Sequence, residues 1–301
     1  MIWMCATRPG PAALMDLAAV RRGQAARAAE GHRGRCMGTR RRLDAELVRR
    51  GLARSREQAA GLVTARRVLV AGQAASKPAT QVAPGDPITV TEPAGPEYAS
   101  RGGFKLAGAL AAFPGLRVAG RRCLDAGAST GGFTDVLLRN GAAHVTAVDV
   151  GYGQLAWALR TDERVTVLDR VNVRQLQPEQ VAPPADLVTG DLSFISLSLV
   201  LPALIRSAAP DADFVLLVKP QFEVGKDRVG AGGVVRDPGL RRDAVASVAA
   251  AAAALGLGVA GLVASPLPGP SGNVEYFLWL RRGAPDLHAD ELDQAIAEGP
   301  Q

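Results

Sequence analysis

The sequence predicts an α/β fold, a doubly wound and largely parallel sheet preceded by a small basic α+β domain. Three observations predict it. Beyond residue 100, short apolar runs alternate with helical stretches, the pattern that lays helices on both faces of a parallel sheet. Cys123 to Leu138, CLDAGASTGGFTDVLL, reads as strand, tight glycine turn and helix start. The formal charge of +6 is also unevenly divided. Residues 1–77 hold 16 Lys or Arg against 5 Asp or Glu, whereas residues 78–301 hold 19 against 24. All the net basicity is therefore at the front, which suggests a polyanion partner for that part alone. A chain of 301 residues has room for one large domain and a small one. With 4% aromatic residues, its core has to be built from Leu, Val and Ala.

In chain order, residues 1–39 lack periodicity and read as a disordered extension, with Met37 as a candidate true start. From Arg40 a helical face of Leu43, Leu47 and Val48 lies beside Arg41, Arg42, Arg49 and Arg50, and Gly51 stops it. Ser55 with Gln58 forms a capping box for a second helix carrying Ala59, Leu62 and Val63, followed by Arg66 and Arg67. Val68–Val70 and Ile88–Val90 read as strands around turns at Ala71-Gly72 and Pro84–Pro87. Residues 40–91 form this first domain, and 92–100 read as a Pro/Gly linker. The second domain, 101–283, opens with a helix from Arg101 to Phe113. It continues with strands at 121–126, 144–149, 164–168, 186–190, 213–218, 258–263 and 274–280. Helices are expected near 131–140, 153–160, 197–208 and 239–255. Residues 284–301 read as a polar tail.

The last two strands are joined without a helix and can pair as an antiparallel hairpin at the sheet edge, an ending habitual in class I methyltransferases. Residues 244–264 are uncharged and as long as a membrane span, but Gly256 and Gly258 divide them into an Ala-rich helix and a Val/Leu strand. Cys5, Cys36 and Cys123 are odd in number and widely spaced, so no disulfide framework or zinc site is indicated. The first twenty residues carry no secretory pattern. A reducing cytoplasm and no membrane association are the expectation.

Three ligands compete for the glycine turn. A dinucleotide requires G-x-G-x-x-G, and Ser129 stands where the second glycine should be. Gly127-x-Ser129-x-Gly131 matches a hydrolase nucleophile elbow, but of His32, His144 and His288 none is suitably placed after an acid. S-adenosylmethionine, with a carboxylate and an ammonium but no phosphate, suits the Asp-x-Gly-x-x-x-Gly-Gly form. Its candidate contacts are Asp125, Gly127, Ser129, Thr130, Gly131, Gly132 and Phe133. Asp149, ending the second strand, can reach ribose hydroxyls, which NAD and S-adenosylmethionine share. Asp169, ending the third, would lie near the adenine. An ordinary βα turn with strand-end aspartates would read in much the same way.

Only four of the 35 basic residues are lysine: Lys77, Lys105, Lys219 and Lys226. Arginine cannot give up its proton, whereas a buried lysine can. Lys219 ends an apolar strand at the carboxyl edge of the sheet, where ligands bind. Asp191 ends the preceding strand, and Glu275 begins the last strand, which reaches the same edge if it runs antiparallel. Lys105 comes from the helix before the sheet.

Two resemblances sharpen this reading. Residues 41–91 resemble the S4 RNA-binding domain, which makes Arg41, Arg42, Arg49, Arg50, Arg54, Arg56, Arg66 and Arg67 candidate RNA contacts. Lys105, Asp191, Lys219 and Glu275 match, position by position, the Lys-Asp-Lys-Glu tetrad of the FtsJ-like RNA ribose 2′-O-methyltransferases. The order of S4 domain, SRGGFKL, DAGASTGGFTDVLL, GDLSFISL, LVKPQFEVG and GNVEYF is similar to the TlyA family over residues 40–282. That resemblance implies a class I, seven-stranded Rossmann-like fold and S-adenosylmethionine as methyl donor. It also implies cytidine ribose in ribosomal RNA within ribosomal subunits as acceptor, 23S and in some members 16S, with no obligate protein partner. Lys219 would stand nearest the reacting hydroxyl, Asp191 would orient it, and Glu275 would hold Lys105 or the ribose. The glycine-rich segment Pro220–Pro238 reads as a lid or a plain mobile loop. Two rivals remain, a membrane-active haemolysin and an RNA-binding assembly factor with a non-catalytic methyltransferase fold.

Overall fold

The computed structural model describes residues 40–91 and 97–299. The readings of residues 1–39, of Met37 as a start and of residues 92–96 lie outside them. The chain divides into two units, Met1–Pro96 and Glu97–Gln301.

In the first unit, Leu43, Leu47, Ala59, Val63 and Val68 are fully buried between two helices and short strands. The helices are α1 (Leu43–Arg49) and α2 (Arg56–Thr64), and the strands are β1 (Arg41–Arg42), β2 (Val68–Val70), β3 (Gln73–Ala74), β4 (Gln81–Val82) and β5 (Ile88–Val90). Arg41 and Arg42 were expected beside the first helix but belong to β1, because their backbone pairs antiparallel with Val82 and Gln81. The Ser55 cap forms only half of the expected box. Ser55 Oγ accepts from Gln58 N at 3.1 Å, while the Gln58 side chain accepts from Arg54 N at 2.7 Å. Ala71 and Gly72, with φ of 49° and 80°, make the left-handed turn joining β2 to β3.

The second unit is a seven-stranded sheet. Its strands are β6 (Arg122–Ala126), β7 (His144–Asp149), β8 (Val165–Asp169), β9 (Ala185–Gly190), β10 (Ala208–Val218), β11 (Gly258–Ala264) and β12 (Tyr276–Arg281), in the spatial order β11-β12-β10-β9-β6-β7-β8. Five strands are parallel neighbours, and β12 runs antiparallel to both β10 and β11. The expected hairpin therefore exists, but β12 inserts between β10 and β11 and leaves β11 at the edge. Both faces are covered, as the near-continuous apolar strands require. Leu216, Val218 and Leu278 pack on one side with the helix Pro238–Ala253, while Val215, Leu217 and Phe277 pack on the other with α3 (Gly102–Ala112) and α4 (Gly132–Arg139).

Four boundaries differ from expectation for local reasons. The helix near 153–160 shrinks to Trp157–Arg160, because Gly151 N donates to Asp149 Oδ1 and holds the chain in a loop. The helix near 197–208 is a 3-10 turn, Leu197–Leu199, and a short α-helix, Leu201–Arg206. Residues 97–100 are not linker. Ala99 N donates to Asp135 Oδ2 at 2.8 Å, and the Tyr98 ring meets Phe104 edge-on at 5.0 Å. The stretch 284–301 is likewise not a plain tail, since Ala289–Glu298 is a helix that buries Leu292, Ala295 and Ile296 in the main core. The uncharged stretch 244–264 divides as read, the helix ending at Ala253 and the strand starting at Gly258. Among the described residues no helix is long and apolar enough to cross a membrane.

Leu292→Ala is expected to destabilise the protein by about 2–5 kcal/mol in denaturant unfolding, the cost of a vacated core site. A change near zero would mean that the C-terminal helix is not docked.

Candidate active site and basic surface

The strand order reverses between β6 and β9, and a cleft opens there at the carboxyl ends of the strands. Ala126 pairs with Gly190, and Asp191 N donates to Ala126 O at 3.0 Å, so the β9 loop crosses directly above the glycine turn. Gly127 has φ 86°, and a Cβ there would stand 2.8 Å from Asp191 O. Bare backbone is required at this crossing.

Two adjoining cavities, of 340 and 530 Å³, share Gly127, Ser129, Asp191 and Ser193. The first is lined also by Gly132, Phe133, Lys105 and Lys219, the second by Asp149, Gln154, Asn172 and Phe194. Together they make one elongated cleft with the lysines at one end and Asp149 at the other. Asp149 is oriented by two backbone donors, Ser129 N at 2.8 Å and Gly151 N at 2.7 Å.

Asp125 lies beneath the glycine turn and is completely buried. Thr134 Oγ1 donates to its Oδ2 at 2.7 Å, whereas Oδ1 has no protein partner. Burial pushes its carboxyl up to about 7, opposed by the Thr134 hydrogen bond and reinforced by the Asp191 charge. The elongated cleft and the glycine crossing fit a nucleoside donor, whereas Asp125 itself lines neither cavity.

The tetrad comes together as two ion pairs. Lys219 Nζ lies 2.6 Å from Asp191 Oδ1 and donates to Ser193 Oγ at 2.9 Å. Lys105 Nζ donates to Glu275 Oε2 at 2.5 Å. The pairing depends on register. Val218 of β10 faces Tyr276 of antiparallel β12, so Lys219, one residue after Val218, and Glu275, one residue before Tyr276, reach the same edge. Lys105, Lys219 and Asp191 line the first cavity, and Glu275, 1% exposed, lies behind Lys105.

The remaining sequence candidates lie elsewhere. Gly131 packs its backbone against Leu155 and Leu159, with φ 97°, and Thr130 lends its carbonyl to Ala156 N; neither lines a cavity. Asp169, expected near the adenine, also lies off the cleft. It is ion-paired with Arg160 at 2.9 Å, which holds its carboxyl below the ordinary range. Sequence reasoning missed Ser193, Gln154 and Asn172. Ser193, two residues after Asp191 in GDLSFISL, was the most findable. His144 begins β7, at the opposite end of the strand from the glycine turn, and its ring contacts Thr166 at 3.0 Å, so no hydrolytic relay forms.

On the first unit the eight candidate arginines are not equivalent. Asp44, held down to about 2 chiefly by Arg42, also binds Arg56. Glu46, held down to about 2 by Arg49 and then Arg50, is buried below them. Arg50 further donates to Asp86 O and Pro84 O, and Arg67 to Thr91 O, so both tie the fold together. Arg41, Arg54 and Arg66 are exposed and make no ion pair among the described residues.

The model of the FtsJ-like methyltransferase family matches residues 98–282, and that of the S4 domain matches residues 41–88. The chain is 60% identical over 270 residues to the 16S/23S rRNA (cytidine-2′-O)-methyltransferase TlyA of Mycobacterium tuberculosis, covering 88% of this chain and all of that protein. It is 35% identical to the protein named Hemolysin A of Brachyspira hyodysenteriae, over 78% of this chain and 97% of the other. A solved hemolysin-named structure from Streptococcus thermophilus superimposes with a TM-score of 0.68 at 38% identity, covering 86% of this chain and 95% of that one.

Because the folded pKa of Asp125 lies above that of an ordinary carboxyl, the ligand-free native state binds the extra proton, and stability falls as pH rises from about 4 to about 7. Asp125→Asn should remove this component. The variant is expected to match wild type near pH 4 and to exceed it in unfolding free energy at pH 8. A constant difference across that range would contradict the assignment.

Proposed function

The chain belongs to the TlyA family of FtsJ-like methyltransferases that carry an S4 domain, and we propose that it methylates the ribose 2′-OH of cytidine in ribosomal RNA, using S-adenosylmethionine. The observation that carries this reading is the pair of lysine–carboxylate contacts at one end of a cleft long enough for a nucleoside donor.

A ribose hydroxyl is a poor nucleophile at neutral pH. The donor, when bound, supplies a methyl group already activated by the sulfonium charge, so the protein has to align the oxygen and take away one proton. Lys219 Nζ donates to Ser193 Oγ, is ion-paired with Asp191 and lines the first cavity, where an incoming hydroxyl can reach it. Lys219 would take up the hydroxyl proton as it passes one of its own hydrogens to its ion-pair partner Asp191, and the oxygen's electron pair would form the new C–O bond as the donor's S–CH3 bond breaks, that bond's electrons passing to sulfur. Lys105, fixed by Glu275, stands in the same cavity as a second cation against which the acceptor ribose is oriented. At the other end of the cleft Asp149 would meet the donor's ribose, while Asp125, buried beneath the glycine turn and lining neither cavity, would act only by supporting that turn. Gly127, Ser129, Gly132 and Phe133 line the path between the two ends.

Arg41, Arg54 and Arg66 are among the exposed cations of the first unit that make no ion pair among the described residues, and Arg42, Arg49 and Arg56 add guanidiniums pre-aligned by buried carboxylates.

Incubating separated ribosomal subunits with labelled donor and mapping the methylated ribose tests the reading. Lys219→Ala should lower methyl transfer by at least about a hundredfold, the scale of general acid–base catalysis, while calorimetric donor affinity stays within about threefold of wild type. Near-normal turnover in that variant would sink the role given to Lys219. Label appearing on a base instead of a ribose would sink the reaction.

A further inference from the structure

The β9 loop, Asp191 to Leu197, is fastened to the segment after β10 by more than the Lys219 contacts. Four residues beyond Lys219, Glu223 uses both carboxylate oxygens on the far end of the same loop. Its Oε2 accepts from Ser196 Oγ at 2.5 Å, and its Oε1 accepts from Leu197 N at 2.9 Å. Between these attachments the Phe194 and Phe222 rings meet at 5.0 Å. Lys219 and Glu223 are separated by the single helical turn Pro220–Glu223, begun by a proline of fixed φ, so their spacing is rigid.

The loop is held in a conformation it would not adopt freely. Phe194 has φ 64°, in the left-handed region, and its side chain is 90% exposed, so no burial of its own ring accounts for that backbone. Such a conformation persists where the surroundings over-determine it. Here the surroundings are the two attachments, Lys219 on one side and Glu223 on the other. Leu197, whose N–H Glu223 receives, is 2% exposed and starts the 3-10 turn that anchors the loop in the core.

We propose that Glu223 is a positioning residue for methyl transfer, holding the Asp191–Leu197 loop at the height where Asp191 and Ser193 engage Lys219. The proposal rests on the reading of this cleft as a ribose methyltransferase site. Glu223 does not line either donor cavity, so it acts through the loop and not by touching the donor.

The test is single-turnover methyl transfer to ribosomal subunits at saturating donor, alongside donor affinity by calorimetry and thermal unfolding, for wild type, Glu223→Ala, Glu223→Gln and Ser196→Ala. Glu223→Ala should lose about ten- to a hundredfold in rate with donor affinity within about twofold, since misplacement of about 1 Å costs on that order. Glu223→Gln, which can accept from Leu197 N and meet Ser196 Oγ through its amide, should recover to within about threefold of wild type. Ser196→Ala, which removes one of the two bonds, should fall between them, and it decides the matter if Glu223→Ala does not fold. A folded Glu223→Ala protein with wild-type rate would overturn the proposal, as would a loss of rate fully matched by loss of donor binding. Wild-type turnover in the same assay keeps the two readings apart. Its absence counts against the proposed function, and its presence beside an unimpaired Glu223→Ala protein counts against Glu223 alone.

Discussion

Two lysine–carboxylate pairs at the carboxyl edge of the sheet are the constraint around which the larger unit is arranged. Lys105 and Glu275 are almost wholly removed from water, and Lys219 is nearly so. Burying such ions costs several kcal/mol each, and apolar residues of similar volume often serve stability as well or better. Stability alone therefore gives no reason for four ionised groups at one sheet edge, whereas chemistry on a hydroxyl does. Keeping them there places demands on the fold. A lysine from a strand end and a glutamate from a strand start meet only if the two strands run in opposite directions in the right register. The Val218–Tyr276 pairing meets that demand, and it is why β12 lies inside the sheet between β10 and β11.

The cleft follows from a second steric requirement. Where β6 and β9 diverge in connectivity, the loop after β9 has to pass over the turn after β6 without closing the space between them. Gly127 allows this because it presents no side chain to Asp191 O. Polar groups around the cleft are held mostly by backbone. Asp149 is fixed by Ser129 N and Gly151 N, and Asp191 N by Ala126 O. Such contacts orient the Asp149 carboxylate and fix the path of the β9 loop without drawing on other side chains.

In the small basic unit, net charge overstates the supply of free cations. Asp44 and Glu46 lie under the arginines and bind four of them, and backbone carbonyls engage Arg50 and Arg67. Guanidiniums held in this way lose less entropy on meeting a phosphate, but each also brings a neighbouring negative charge. The exposed Arg41, Arg54 and Arg66 carry no such penalty. Formal charge could not separate the two groups, because the carboxylates that do so are two to twelve residues away in sequence and their pairing depends on side-chain geometry.

The sequence by itself determined the division into a basic α+β domain and an α/β sheet, the seven strands, the glycine turn and the four charged residues, Lys105, Asp191, Lys219 and Glu275, that the fold brings to one sheet edge. These follow from local pattern, from the scarcity of lysine and from the order of motifs, all of which survive in one dimension. It misjudged what depends on distant partners. Residues 97–100 looked like linker because they continue a Pro/Gly stretch, yet Asp135, 36 residues away, holds Ala99. The C-terminal residues looked like tail because their apolar positions are few, yet three of them complete the core. Asp169 looked like a cofactor contact by strand-end position until Arg160 was found to occupy it. Only the tertiary structure decided which carboxylate meets which lysine, that Ser193 shares Lys219, and that Glu223 fastens the far end of the same loop. Those contacts join segments 26 to 170 residues apart, and their geometry is set by strand register, which no local pattern encodes.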